Sequence, residues 1–308
     1  ILDMRHAYCE NITLDELAAI RVKHPKFNAT VLLQGAQLIE FSPANNNFNN
    51  LLWLSECAEY KKQQSVRGGI PICWPWFGDL NKNPTAIKQQ VPTPQLAKAH
   101  GFARNLVWQL GNINENSDRV QIEFELSHTP ETQALWPFTF NLVARFTFSD
   151  TLTVELITTN LDHKEMVISQ AMHTYFPTTD IAETIISPSD SCEVVYIDAL
   201  DNWEEKKQIG AIKFTQETDR LYFFTTTEAA NNYELKIKTP TQQLLMTNQH
   251  TNSAVIWNPW IEKSLRLSQF NAHDYKTMFC IETANVLHDS ISLESNQQHT
   301  LKLSLQLA

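Results

Sequence analysis

A chain of 308 residues, 43% hydrophobic and 19% charged, has the composition of a soluble globular protein large enough to bury its core without disulfide staples. Its formal charge of −10, from 34 acidic and 24 basic residues, disfavours nonspecific contact with nucleic acid or anionic membranes and still permits a local basic pocket. Five widely spaced cysteines (Cys9, Cys57, Cys73, Cys192, Cys280) with no CxxC pair predict free thiols in a reducing compartment. With no apolar run of membrane-spanning length and no secretory leader pattern, the expected localisation is cytoplasmic. Ile1 in place of Met leaves room for a segment ahead of this numbering.

Along the chain, Thr13 and Glu16 have the spacing of a capping box, and a helix begun there would end at VKHP (22–25). Almost every later signal is a strand. Alternating or β-branched runs occupy 30–41, 120–127, 140–148, 151–159, 166–176, 210–215, 233–239, 253–258, 277–282 and 299–307. Many lie about 10 residues apart with Asn, Asp, Ser or Pro between them, the pattern of antiparallel sandwiches. Ser149-Asp150 reads as a hairpin turn. Residues 79–98 lack a period, contain Pro84, Pro92 and Pro94, and read as a long loop of the functional kind. No repeat or linker breaks the pattern, so the expectation is one β domain over residues 1–308.

Four of the seven glycines, Gly68, Gly69, Gly78 and Gly101, fall within SVRGGIPICWPWFGD (65–79) and AHGFAR (99–104). Glycine admits backbone conformations closed to other residues and lets a ligand approach the main chain. Beside these glycines stand Arg67 and Arg104, residue types suited to bidentate recognition of phosphate or carboxylate. Two arginines flanking glycine-rich backbone can clamp a dianion; the alternative is a pair of solvated arginines with packed stems. Trp74, Trp76 and Phe77 offer faces for the C–H side of a sugar, or else are core aromatics.

Two of the ten histidines stand out by context: His100 beside Gly101, and His173 in the strand-like SQAMHTYFP. Histidine titrates near neutrality and is a natural proton donor or acceptor, although a strand histidine is commonly structural. Glu282, inside the apolar run MFCIETANV, is the strongest anomaly among the carboxylates. A buried glutamate is costly unless paired or used for proton transfer. Asp219 in QETDRLYF suits sugar hydroxyls or a neighbouring cation. No metal motif, P-loop, GxGxxG or GxSxG appears.

In this order, RGGIPICWPWFGD, AHGFAR, AMHTYF, ETDRLY, VIWNPW and FCIETANV resemble the hexose-6-phosphate mutarotases, also called glucose-6-phosphate 1-epimerases. These form a branch of the aldose 1-epimerase, galactose-mutarotase-like superfamily. The resemblance implies an all-β fold, a β-supersandwich of large antiparallel sheets with few short helices. It implies interconversion of the α and β anomers of a hexose 6-phosphate, with no cofactor. Residue by residue, it makes His173 and Glu282 catalytic, gives Arg67 and Arg104 to the sugar phosphate, places His100 in the site lining and assigns Asp219 to sugar hydroxyls. Two positions depart from the pattern: Ala99 stands where relatives can carry glutamine, and Thr283-Ala284 where Pro-Gly is frequent. The expected partner is a small-molecule sugar phosphate, with no nucleic acid and no membrane; the oligomeric state and the preferred hexose stay open.

Anomerisation requires the C1 hydroxyl to lose a proton while the ring oxygen gains one, and the reverse on closure. Glu282 as base and protonated His173 as acid would meet that need. Two other readings compete: a noncatalytic carbohydrate-binding β-sandwich, which needs no His173–Glu282 pair, and a glycoside hydrolase using Asp219 with Glu282.

Overall fold

A computed structural model describes residues 6–189, 193–225 and 231–308. Two large antiparallel sheets dominate. The first runs, edge to edge, through Glu204–Lys207, Glu193–Asp198, Thr218–Thr225, Ser253–Asn258, Met278–Asn285, Gln170–Pro177 and Ile72–Cys73. The second has nine strands, from Ile212–Lys213 at one edge to Gln109–Glu115 at the other. A four-stranded meander (Cys9–Leu14, Leu17–His24, Phe27–Leu32, Leu38–Pro43) and a two-stranded ribbon complete the β structure. The described α-helices are short: Thr85–Lys88, Pro130–Leu135 and Trp260–Ser264. None is long and apolar enough to cross a membrane. The architecture is a β-supersandwich.

The reason is written in the periodicity. In Val120–Ser127 and Phe140–Phe148 every second residue is buried, so each strand offers one face to the core. Those faces meet Met172, Phe176, Phe279 and Ile281 of the seven-stranded sheet together with Leu301, Leu303 and Leu305 in one continuous core. Gln170–Pro177 and Met278–Asn285 behave differently, because nearly all their residues are buried. One face packs on the other sheet; the opposite face, with Tyr175 and Cys280, lies under the loops that roof the site.

Several sequence expectations change. The Thr13–Glu16 region is a hairpin, not a helix, with Leu14 opposite Leu17 and Asp15 in the left-handed region at φ 46°. Pairing of the following apolar strand with Phe27–Leu32 outweighs the local capping signal. A capping box does form at Thr129 and Thr132, ahead of Pro130–Leu135. The run 30–41 turns back on itself at Gly35 and Ala36, so it supplies two strands. The run 166–176 breaks at Ser169, with Met166–Ile168 in the ribbon and Gln170–Pro177 in the seven-stranded sheet. The run 210–215 shrinks to Ile212–Lys213. Thr218–Thr225, which carries Asp219, is a strand the periodicity alone did not reveal. Cys9, Cys57, Cys73 and Cys280 are free thiols, and Cys192 lies outside the described residues.

The glycine cluster works otherwise than expected. At Gly101 (φ +70°) a Cβ would sit 2.0 Å from the Trp74 carbonyl oxygen, so this glycine exists to let two chain segments touch. Gly68 and Gly69 likewise face backbone, and among the four only Gly78 opens into free space. Gly101→Ala is expected to cost roughly 1–2 kcal/mol for the left-handed backbone alone, and more because the Trp74 carbonyl must move. Urea unfolding measures it; a loss under about 0.5 kcal/mol, the range of neutral surface changes, would contradict the packing role.

Candidate active site

Register places the chemistry. Antiparallel pairing sets Val255 opposite Glu282, and Glu282 opposite His173, across three adjacent strands. The neighbouring row on the same face runs Asp219, Trp257, Cys280, Tyr175. The row partners His173 and Glu282 meet through Nε2 and Oε1 at 3.3 Å. Over these rows lies a cavity of about 970 Å³ lined by Arg67, His100, Arg104, His173, Asp219 and Glu282. All six residues singled out in the sequence therefore share one cavity.

Arg67 and Arg104 are half-buried. Arg67 donates from Nε to the Ser268 carbonyl and from Nη1 to Tyr175 Oη, each at 3.3 Å. Arg104 donates from Nη2 to the Ala99 carbonyl at 3.1 Å, while its Nε is buried without a partner. Position 99 thus serves through its backbone. Among the described residues, the arginines with a carboxylate within 4 Å are Arg21, Arg145 and Arg220. Arg67 and Arg104 thus line one cavity with no carboxylate of the described residues within 4 Å, an arrangement that can accept an anion.

His100 adopts a left-handed backbone (φ 67°) that folds it onto Gly78. Its N–H donates to the Gly78 carbonyl at 2.9 Å, and its Nδ1 accepts from the Gly78 N–H at 3.2 Å. An accepting Nδ1 leaves the proton on Nε2, so His100 is a donor at that nitrogen. Burial, followed by the Arg104 charge, holds its pKa well below the ordinary value and keeps the ring neutral.

The His173–Glu282 pair is buried, with Glu282 only 2% exposed. Burial first and Arg104 second depress His173 to about 3. Burial first and Asp219 second push Glu282 well above its usual value, against the pull of Arg104. Both shifts favour neutral imidazole beside a protonated carboxyl over the imidazolium beside carboxylate that the sequence suggested. Both forms contain one proton between the partners, and low dielectric favours the uncharged one. His173 Nδ1 and Glu282 Oε2 are buried without hydrogen-bond partners, leaving polar capacity unused.

Asp219 is half-buried, and burial raises its pKa against the opposing pull of Lys263. Lys263 Nζ stands 3.9 Å from Asp219, 3.6 Å from Glu217 and over the Trp257 ring at 5.7 Å. Of the two readings of the aromatics, the core one holds for both tryptophans. Trp74 and Trp76 are core residues, their indoles donating to Thr158 Oγ1 at 3.1 Å and the Lys98 carbonyl at 2.8 Å. Of that trio only Phe77 reaches the cavity, where Tyr175, Trp203 and Trp257 supply further rings. Tyr175 was findable by parity, two residues after His173 on one strand. Among the described residues, no cluster of three His, Cys, Asp or Glu side chains is arranged to hold a metal.

Comparison with known proteins gives the family. The family model for aldose 1-epimerase matches residues 18–306. A protein of Escherichia coli (strain K12) named "Putative glucose-6-phosphate 1-epimerase" is 35% identical over 272 residues, 88% of this chain and 84% of its own length. A protein of that name from Cenchrus ciliaris is 29% identical over 291 residues, 90% of this chain and 80% of its own. The crystal structure of a "putative mutarotase" from Salmonella typhimurium superposes with a TM-score of 0.85 at 30% identity, covering 100% of this chain and 96% of that one. A galactose mutarotase related enzyme from Lactobacillus acidophilus shares the fold, with a TM-score of 0.71 at 13% identity over 94% of this chain and 97% of that one. With a family model spanning residues 18–306 and the same sheets superposing from end to end, the chain belongs to the aldose 1-epimerase family.

Proposed function

We propose that this protein is a glucose-6-phosphate 1-epimerase, an isomerase that interconverts the α and β anomers of a hexose 6-phosphate within one mutarotase-like β domain. The observation that carries the reading is the His173–Glu282 contact of 3.3 Å in the same cavity as two arginines without carboxylate partners. A pair sharing one proton is what anomerisation uses. One member takes the C1 hydroxyl proton while the other protonates the ring oxygen, the C1–ring oxygen bond breaks, and closure from the other face reverses both transfers. The steps are proton transfers and ring opening, so they ask for no cofactor.

The lateral order of the groups supports the assignment of roles. In a hexose 6-phosphate the phosphate is carried on the ring-oxygen side of the pyranose, and the C2 hydroxyl lies beyond C1. Across the sheet, Glu282 stands between the His173 and Asp219 strands, and the segments bearing Arg67 and His100 lie beyond His173. Phosphate on the arginines then brings the ring oxygen toward His173, C1 and its hydroxyl toward Glu282, and the hydroxyls beyond toward Asp219. The His100 Nε2–H is a donor available on the ring-oxygen side. Burial is the main cause that keeps His173 uncharged; a dianion on the arginines would cancel the positive field that adds to it, drawing the shared proton toward the imidazole. Binding energy from the distant phosphate would thus orient the ring and prepare the acid.

Magnetisation-exchange NMR on the anomers of glucose 6-phosphate tests the reading. Acceleration above the spontaneous rate at catalytic protein concentration is the expected result. Saturable binding with no acceleration would make the protein a carbohydrate-binding module instead. The same measurement on galactose and mannose 6-phosphates and on the free sugars sets the substrate preference.

A further inference from the structure

We infer that Tyr175 is a positioning residue that ties the arginine end of the cavity to the His173 ring; the inference rests on the proposed epimerase reading. An imidazole that moves a proton is normally held in orientation by a hydrogen bond at its second nitrogen. His173 lacks that device, since its Nδ1 is buried with no partner. What holds the ring is packing. Tyr175 stacks on it at 4.8 Å between centroids and 16° between planes. His100 and Trp257 meet the ring edge-on at 6.0 and 6.2 Å.

Tyr175 is itself fixed on every side. The residue is 3% exposed, and its ring is backed by the Trp53 ring at 5.7 Å and 21°. Its backbone N–H donates to the Gly69 carbonyl, and its carbonyl accepts from the Trp53 N–H, both at 2.9 Å. Its hydroxyl oxygen accepts from Arg67 Nη1 at 3.3 Å. Burial pushes the phenol upward, so the group stays a neutral hydroxyl. Trp53, Tyr175 and His173 form a continuous stack, and Arg67 reaches its middle member. An anion seated on Arg67 thereby bears on a guanidinium whose place is set by the ring that orients His173. The Ser268 carbonyl on Nε completes the seat of Arg67.

Two substitutions separate the two functions of the side chain. Tyr175→Phe keeps the stack and removes the acceptor, so the Michaelis constant for glucose 6-phosphate should rise about 3- to 10-fold, with kcat falling less than KM rises. The KM rise for free glucose should be smaller. Tyr175→Leu removes the ring, so kcat should fall about 10- to 100-fold for both sugars, because the imidazole loses its orientation. Adding Tyr175→Phe to Arg67→Ala should produce no further loss on glucose 6-phosphate. An unchanged KM in Tyr175→Phe, or additive losses with Arg67→Ala, would overturn the coupling even where the leucine variant fails to fold. Wild-type protein without exchange activity on any sugar would remove the epimerase reading and this inference together. An active wild type with a silent phenylalanine variant removes only the inference.

Discussion

Glu282→Gln should lower anomer exchange by about 10²–10⁴-fold, the worth of one well-placed proton-transfer group, while leaving the protein at least as stable as its parent at neutral pH. The two halves of this expectation have one cause. Burial, reinforced by Asp219, holds the Glu282 carboxyl well above its ordinary value and so favours the neutral acid. Glutamine has the same shape and no charge, and it loses only the proton that reaction requires. The direction with pH follows from linkage. The unfolded carboxyl ionises near 4.5, whereas the folded one resists, so its stabilising contribution is full below that value and is lost as pH rises through the folded pKa. Glutamine does not titrate, and the variant's melting temperature should therefore gain on the parent's between about pH 4 and pH 8. His173 acts in the opposite sense in both proteins. Its pKa is depressed to about 3, so its contribution is present above the ordinary value of 6.5 and is lost as pH falls toward 3. Taking the difference between variant and parent isolates Glu282. Exchange NMR and thermal unfolding at two pH values make the measurement, and near-normal exchange would take Glu282 out of the proposed mechanism.

How much of this could be read from the chain depends on the range of the interaction. Strands Val120–Ser127, Phe140–Phe148 and Ser253–Asn258 have the bounds that the residue pattern sets, and Ser149-Asp150 lies in the connection between paired strands as expected. The first two follow from strict alternation, because each buries one face only. Thr13 and Glu16 misled because a capping box is a local signal, while the strand Leu17–His24 is decided by its pairing with Phe27–Leu32. The glycines misled for a related reason. A crowded motif looks the same whether it faces a ligand or its own backbone, and Gly101 turns out to face the Trp74 carbonyl. The opposition of His173 and Glu282 across neighbouring strands, more than a hundred positions apart, is invisible to any local pattern. Only the ordered motif set brought the two together, and the register supplies the 3.3 Å contact. The protonation of the pair was likewise beyond the sequence, because it depends on how thoroughly the pocket excludes water.

Arg67→Ala and Arg104→Ala should each cost about 10- to 150-fold in kcat/KM on glucose 6-phosphate, the worth of a hydrogen bond to a charged group, and far less on free glucose. Neither guanidinium is among the described arginine–carboxylate pairs, so removing one frees no buried carboxylate and the loss falls on the anion that would occupy the site. The two variants should differ in their pH behaviour. Arg104 is the leading charge acting on His173 and also the one that restrains Glu282, so Arg104→Ala should raise the pKa of both partners and move the pH dependence of turnover upward. Arg67 acts on His173 more weakly and is tied to Tyr175 and Ser268, so Arg67→Ala should fall mainly on KM. Arg→Lys at either position keeps the charge and loses the planar fork, and should recover part of the binding without the full rate. Equal losses on phosphorylated and free sugars would dismiss the phosphate clamp and leave the arginines as general electrostatic support for the pair. A loss confined to the phosphorylated sugar would mean that a chain of net charge −10 admits its anionic substrate through this one local reversal of sign.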